Sequence, residues 1–117
     1  MIDSLKKIFE RFSFTDENSQ NEKRLPIVSR YNINYCFKKI CNYVNNNSFE
    51  NIIIKEDYYE IFYVDGIYEV TFILLSNKES TLISCHVFSK KRGKSRDKLY
   101  EVLSNIENLL NERVCSL

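Results

Sequence analysis

The sequence predicts an α+β fold: an antiparallel four-stranded meander with two helices packed on one face, preceded by an N-terminal helical arm, in the order α-α-β-β-β-β-α. Three observations carry this. Asp65-Gly66 separates two runs of alternating apolar residues, which is the strongest short-range hairpin signal a sequence offers. Segments before and after the β-rich middle place apolar residues at the i, i+3, i+4, i+7 spacing of a core-facing helix. The chain of 117 residues has the length of one domain. A chain of that size buries roughly two thirds of its unfolded surface, so it needs no metal or disulfide staple.

The arm is expected over about Asp3 to Phe12, where Ile2, Leu5, Ile8, Phe9 and Phe12 recur at helical spacing and Asp3 is placed to cap. Ser13 to Lys23 is polar and aperiodic and reads as a mobile linker. Residues 1–24 are thus an arm and linker, and residues 25–117 the α+β domain. The second helix is expected from Tyr31 to Asn45, with the stripe Ile33, Cys36, Phe37, Ile40, Cys41 and Val44. Asn45, Asn46 and Asn47 suit a left-handed stop.

Four strands follow, over about Phe49–Ile54, Tyr58–Val64, Ile67–Leu75 and Thr81–Phe88. A two-residue turn at Asp65-Gly66 pairs Val64 with Ile67, Ile61 with Val70 and Tyr59 with Phe72. Side chains alternate between the two faces of a strand. Tyr59, Ile61, Tyr63, Tyr68, Val70, Phe72 and Leu74 then share the core face, while Tyr58, Glu60, Phe62, Glu69, Thr71 and Ile73 share the other. Pairing Phe72 with Cys85 keeps the apolar sets together, leaving Leu82, Ser84, His86 and Phe88 on the open side. Ser95 is the expected cap of a last helix from Arg96 to Arg113, with the stripe Leu99, Val102, Leu103, Ile106 and Leu110.

Composition excludes several classes of function. A net charge of +1 gives no field to draw the whole chain to a polyanion or a membrane surface. Two Gly and one Pro leave little material for phosphate-cradling loops. No apolar region follows Lys6-Lys7 as a signal peptide would require, and no apolar run reaches ~18 residues. A cytoplasmic location is the expectation, with Cys36, Cys41, Cys85 and Cys115 as reduced thiols. Cys85 and His86 are adjacent in a strand and leave on opposite faces, and Cys36 and Cys41 are five apart. Neither arrangement suits a tetrahedral metal site, so no metal and no cofactor is expected.

Three candidate sites remain. The first is the open sheet face, where Tyr58, Phe62, Ile73, Leu82 and Phe88 stand as partner-binding residues beside Val64 and Ile67. A bare apolar patch of that extent is uncommon on a monomer, so either the arm or a protein partner, a second copy included, must cover it. The reading is a non-enzymatic interaction module, of adaptor or chaperone-like kind. The second site is the basic loop, where Lys90, Lys91, Arg92, Lys94 and Arg96 at a helix start form an anion- or nucleic-acid-binding candidate. It lacks P-loop spacing. The acids Glu56, Asp57, Glu60, Asp65 and Glu69, in a stretch without Lys or Arg, oppose a polyanion on the sheet. The third is a ligand pocket or small enzyme around Glu60, Thr71 and His86. In the expected register Thr71 faces both others, which sets His86 and Glu60 roughly 10 Å apart, beyond a direct bond. No nucleophile with an orienting partner stands out, so no catalytic residue is assigned.

Overall fold

The computed structural model describes residues 12–16 and 25–111. In chain order they form β1 (Phe12–Phe14), β2 (Ile27–Ser29), α1 (Ile33–Asn45), β3 (Glu50–Lys55), a 3-10 turn (Glu56–Tyr58), β4 (Glu60–Asp65), β5 (Tyr68–Asn77), β6 (Ser80–Ser89) and α2 (Ser95–Leu110). The class is α+β as expected. The expected meander is β3 to β6, but the antiparallel sheet has six strands rather than four.

The two extra strands correct the reading of the N-terminal region. Phe12 pairs with Phe88 and Phe14 with His86, so residues placed in a helix end and a linker are sheet residues. Ile27 pairs with Ile83 and Ser29 with Thr81 along the same edge of β6. Together β1 and β2 form one edge strand interrupted by the chain between them. Thr15 closes the gap: its N–H donates to the Cys85 carbonyl at 2.9 Å, and its Oγ1 accepts from the Cys85 N–H at 3.1 Å. Three-residue strands show no period long enough to read, and it is the open edge of β6 that selects them. The rest of the expected arm and linker, residues 1–11 and 17–24, lies outside the described residues.

Alternation sorts the faces as expected. Ile61, Tyr63, Val70, Phe72, Leu74, Ile83, Cys85 and Val87 are buried beneath the helices. Cys36, Phe37, Ile40 and Val44 of α1 and Leu99, Val102, Leu103, Ile106 and Leu110 of α2 close the same core. Each large side chain buried there stabilises the fold by about 1.5–3 kcal/mol. The alternating sets survive although the hairpin register differs. The turn residues are Gly66 and Ile67, between Asp65 and Tyr68. Gly66 carries a φ of +62°, so the left-handed position is the first of the two turn residues, not the second. Moving the turn centre by one residue changes every partner by two: Ile61 pairs with Phe72 instead of Val70. Partners two apart lie on the same face, so no side chain changes sides. The Phe72–Cys85 pair stands as expected.

Helix ends depart in detail. Asn32 caps α1, its Oδ1 accepting from the Tyr35 N–H at 2.9 Å. The helix ends at Asn46 in a right-handed conformation, not the expected left-handed one. Ser95 does not cap α2; it is the first helical residue and its side chain turns inward. The left-handed stop is found instead at Asn111, with φ +57°.

Candidate functional site

The face of the sheet away from α1 and α2 is built by register. Phe14, His86, Thr71, Phe62 and Ile53 are successive lateral partners and form one row across five strands. Phe12, Phe88, Glu69, Val64 and Glu50 form the row beside it. On the other side run Ser84, Ile73, Glu60 and Lys55. Leu82 sits between Val28 and Leu75. A β-bulge makes the outer column possible. Asn51, at φ +52°, adds one residue to β3, so Glu50 and Ile53 both face the open side despite their odd spacing.

The expected partner-binding residues divide. Phe62, Ile73, Leu82 and Phe88 all lie on this face and are half-buried. Tyr58 is not a strand residue: it ends the 3-10 turn and is 74% exposed, at the rim. The turn is held by the next residue, whose phenol donates to Asn34 Oδ1 at 2.8 Å while its ring meets Phe37 edge-on. Ile67 belongs to the hairpin turn rather than to the face. Sequence reasoning missed Phe12, Phe14, Val28, Ile53 and Leu75. Val28 is 58% and Ile53 50% exposed, whereas Val64, expected bare, is buried, so the exposed apolar groups are not the ones expected. The Phe-Ser-Phe alternation was the only hint of the first two.

The relief is shallow. A hollow of about 240 Å³ lies between Ile53, Lys55, Glu60, Phe62 and Thr71. A second, of about 510 Å³, lies between Lys55, Tyr58, Glu60 and Ile73. The Lys55–Glu60 ion pair, at 3.4 Å, belongs to the wall of both. The charged residues on the strands of this face are Glu50, Glu60 and Glu69 against Lys55, a net excess of acid.

His86 is packed between two rings, with centroids 5.9 Å from Phe12 and 6.1 Å from Phe14, both edge-on. Burial lowers its pKa below the ordinary imidazole value, and the charge of Glu60 acts against that shift. The expected triad of Glu60, Thr71 and His86 does not form one row. Thr71 pairs with His86 on one side but with Phe62 on the other, and Glu60 pairs with Ile73. The two-residue shift of the hairpin moves Glu60 along the strand, so Glu60 and Thr71 share a hollow that His86 does not line.

The basic loop docks on the hairpin turn. The Lys90 N–H donates to the Ile67 carbonyl at 2.9 Å, and the Ser89 hydroxyl donates to the Lys91 carbonyl at 2.7 Å. Lys90, Lys91, Arg92, Lys94 and Arg96 are all exposed, spread around Gly93 at φ +75°. The acid at the turn, Asp65, is engaged by Lys98 of α2 at 2.6 Å. Cys36 and Cys85 are buried, and burial pushes the Cys85 thiol well up. Cys115 lies outside the described residues. Among the described residues no three His, Cys, Asp or Glu side chains cluster to hold a metal ion, and no helix is long and apolar enough to cross a membrane. Comparison with protein-family models, with curated proteins and with solved structures finds no match.

Proposed function

We propose that this domain is a non-enzymatic protein-interaction module, adaptor or chaperone-like, that binds a partner or a second copy through the open sheet face. One observation carries the reading: both described helices pack on one side of the sheet, and on the other side Phe14, Val28, Ile53 and Leu75 are left 40–58% exposed. Large exposed apolar patches mark interaction surfaces more often than ordinary monomer surface. Phe62, Ile73, Leu82 and Phe88 form the contact, with Tyr58 at its rim. A flat, mixed aromatic and aliphatic face with a few charges at its margins resembles the centre of a protein interface more than a pocket for a small molecule.

The test is the mass of the full chain in solution by light scattering, alone and with candidate partners, for the natural sequence and for the double substitution Phe62→Ser, Phe88→Ser. Association should disappear while far-UV circular dichroism keeps its α+β signature. A chain that is monomeric in every mixture, and that unfolds when the two rings are removed, makes this face internal core and ends the proposal.

A further inference from the structure

We propose that two copies of this chain join edge to edge, β3 against β3, antiparallel about a twofold axis at Ile53, so that their sheets become one. The contact uses the rim of the sheet and stands apart from any binding to its open face. Three observations lead there.

The first is a free edge. The strand order is β1-β6-β5-β4-β3, with β1 and β2 on one edge, three residues each, and the six residues of β3 on the other. A short edge strand is a poor template for pairing, and a long apolar one a good template. β3 carries Ile52, Ile53 and Ile54 in succession. The sheet fixes where their backbone groups point. The Tyr59 carbonyl accepts from the Leu74 N–H at 3.0 Å, so by alternation Ile61 and Tyr63 also bond toward β5, and Phe62 bonds toward β3. Ile53, the partner of Phe62, therefore uses its backbone groups on β4. Ile52 and Ile54 turn theirs outward, where no described strand lies.

The second is matching faces. Residues directly opposite in an antiparallel pair point to the same side, so a register is acceptable only where their environments agree. Centring the pair on Ile53 meets this condition. Ile53 meets the same residue of the second copy on the open side, where each copy alone leaves it exposed. Ile52 meets the second copy's Ile54 on the helix side, where both already pack against the core. These are also the positions whose outward N–H and C=O groups exchange hydrogen bonds.

The third is charge. By simple counting Lys55 would stand opposite the second copy's Asn51. The bulge at Asn51 adds a residue, and Glu50 takes that place on the open side. Lys55 then lies beside the second copy's Glu50, and symmetry makes the contact twice. Within its own chain Lys55 is 3.4 Å from Glu60, so it sits between two acids. Glu56 and Asp57 follow in the 3-10 turn, past the end of the strand, and come level with Phe49 and Ser48, which carry no charge. Charges on an edge strand ordinarily deter pairing. Here they have opposite signs at the two ends of an apolar triplet, which suits the strand to a reversed copy of itself.

The experiment is analytical ultracentrifugation of the full chain across micromolar concentrations. A species of twice the 14.0 kDa chain mass is expected. Glu50→Lys alone, or Lys55→Glu alone, sets like charges together at both symmetric contacts and should weaken association about tenfold. The two changes together restore opposite signs and should recover most of the affinity that Glu50→Lys loses. Both positions are exposed, and circular dichroism checks that each variant keeps its fold. A monomer at every concentration overturns the proposal, as does a dimer indifferent to the single changes or a double variant no tighter than Glu50→Lys. Phe62→Ser with Phe88→Ser should leave this dimer in place while removing association at the open face. A dimer lost with those two rings and unmoved by the charge changes is a face contact, and overturns the edge pairing alone.

Discussion

The hydroxyls of Ser13 and Ser95, 82 residues apart in the chain, meet at 2.8 Å in a buried contact that joins the edge strand β1 to the first residue of α2. The contact explains why Ser95 does not cap its helix: its side chain is turned into the structure. Removing one hydroxyl strands the other away from water. Ser95→Ala should therefore destabilise the domain by about 1–3 kcal/mol. Removing both leaves no orphan, so Ser13→Ala combined with Ser95→Ala should fall well short of the sum of the single effects. Urea unfolding of the four proteins, analysed as a double-mutant cycle, checks this.

His86 predicts a pH dependence. Burial lowers its pKa in the native state, so the unfolded chain takes up the proton first as pH falls. Stability is then fully present above the ordinary imidazole value near 6.5 and is lost as pH falls through the lower native value. His86→Phe keeps a ring between Phe12 and Phe14 but removes the titration. Thermal unfolding from pH 7.5 to pH 5 should show a decline in the natural sequence and a flatter curve in the variant. Parallel curves would contradict the assignment.

Lys98 behaves in the opposite sense. Burial lowers its pKa, but the bonds to Asp65 at 2.6 Å and Glu101 at 3.2 Å outweigh that and raise it overall. Its contribution is present below the ordinary lysine value and lost as pH rises through the raised one. Asp65→Asn removes the main partner while leaving the turn in place. Because Asp65 is partly open to solvent, a loss of about 1 kcal/mol is expected, and less at high salt. Denaturant midpoints at low and high ionic strength measure both.

Gly66 is set by backbone alone. Its φ is +62°, and a Cβ built there meets nothing within 4 Å. Gly66→Ala should lose about 1–2 kcal/mol from left-handed strain without any clash. Gly66→Asn should lose less, since Asn tolerates that region. Equal losses in chemical unfolding would point to a packing cause instead.

The sequence resolved the long elements well and the short ones poorly. The alternation through β4, β5 and β6 and the stripes of α1 and α2 each extend over several periods. A hairpin offset of two residues therefore left Phe62 and Phe88 opposite the helices as expected. The expected lateral pairing of Glu60 with Thr71 is replaced by Glu60 with Ile73 for the same reason, because lateral neighbours depend on register while faces do not. Phe12 and Phe14 carry no legible strand signal because three residues hold no period.

Local chemistry in the chain was thus sufficient for the α+β class, the two helices, the central meander and the side of each strand that turns toward the core. These follow from spacing of apolar residues, which is written along the chain. What only the assembled tertiary structure decided is which distant segments meet. Examples are β1 and β2 taking the free edge of β6, Ser95 turning to Ser13, the bulge at Asn51 turning Ile53 outward, and the rows that make up the open face. Those depend on unpaired backbone groups and space left over by other elements, and a local pattern does not encode them.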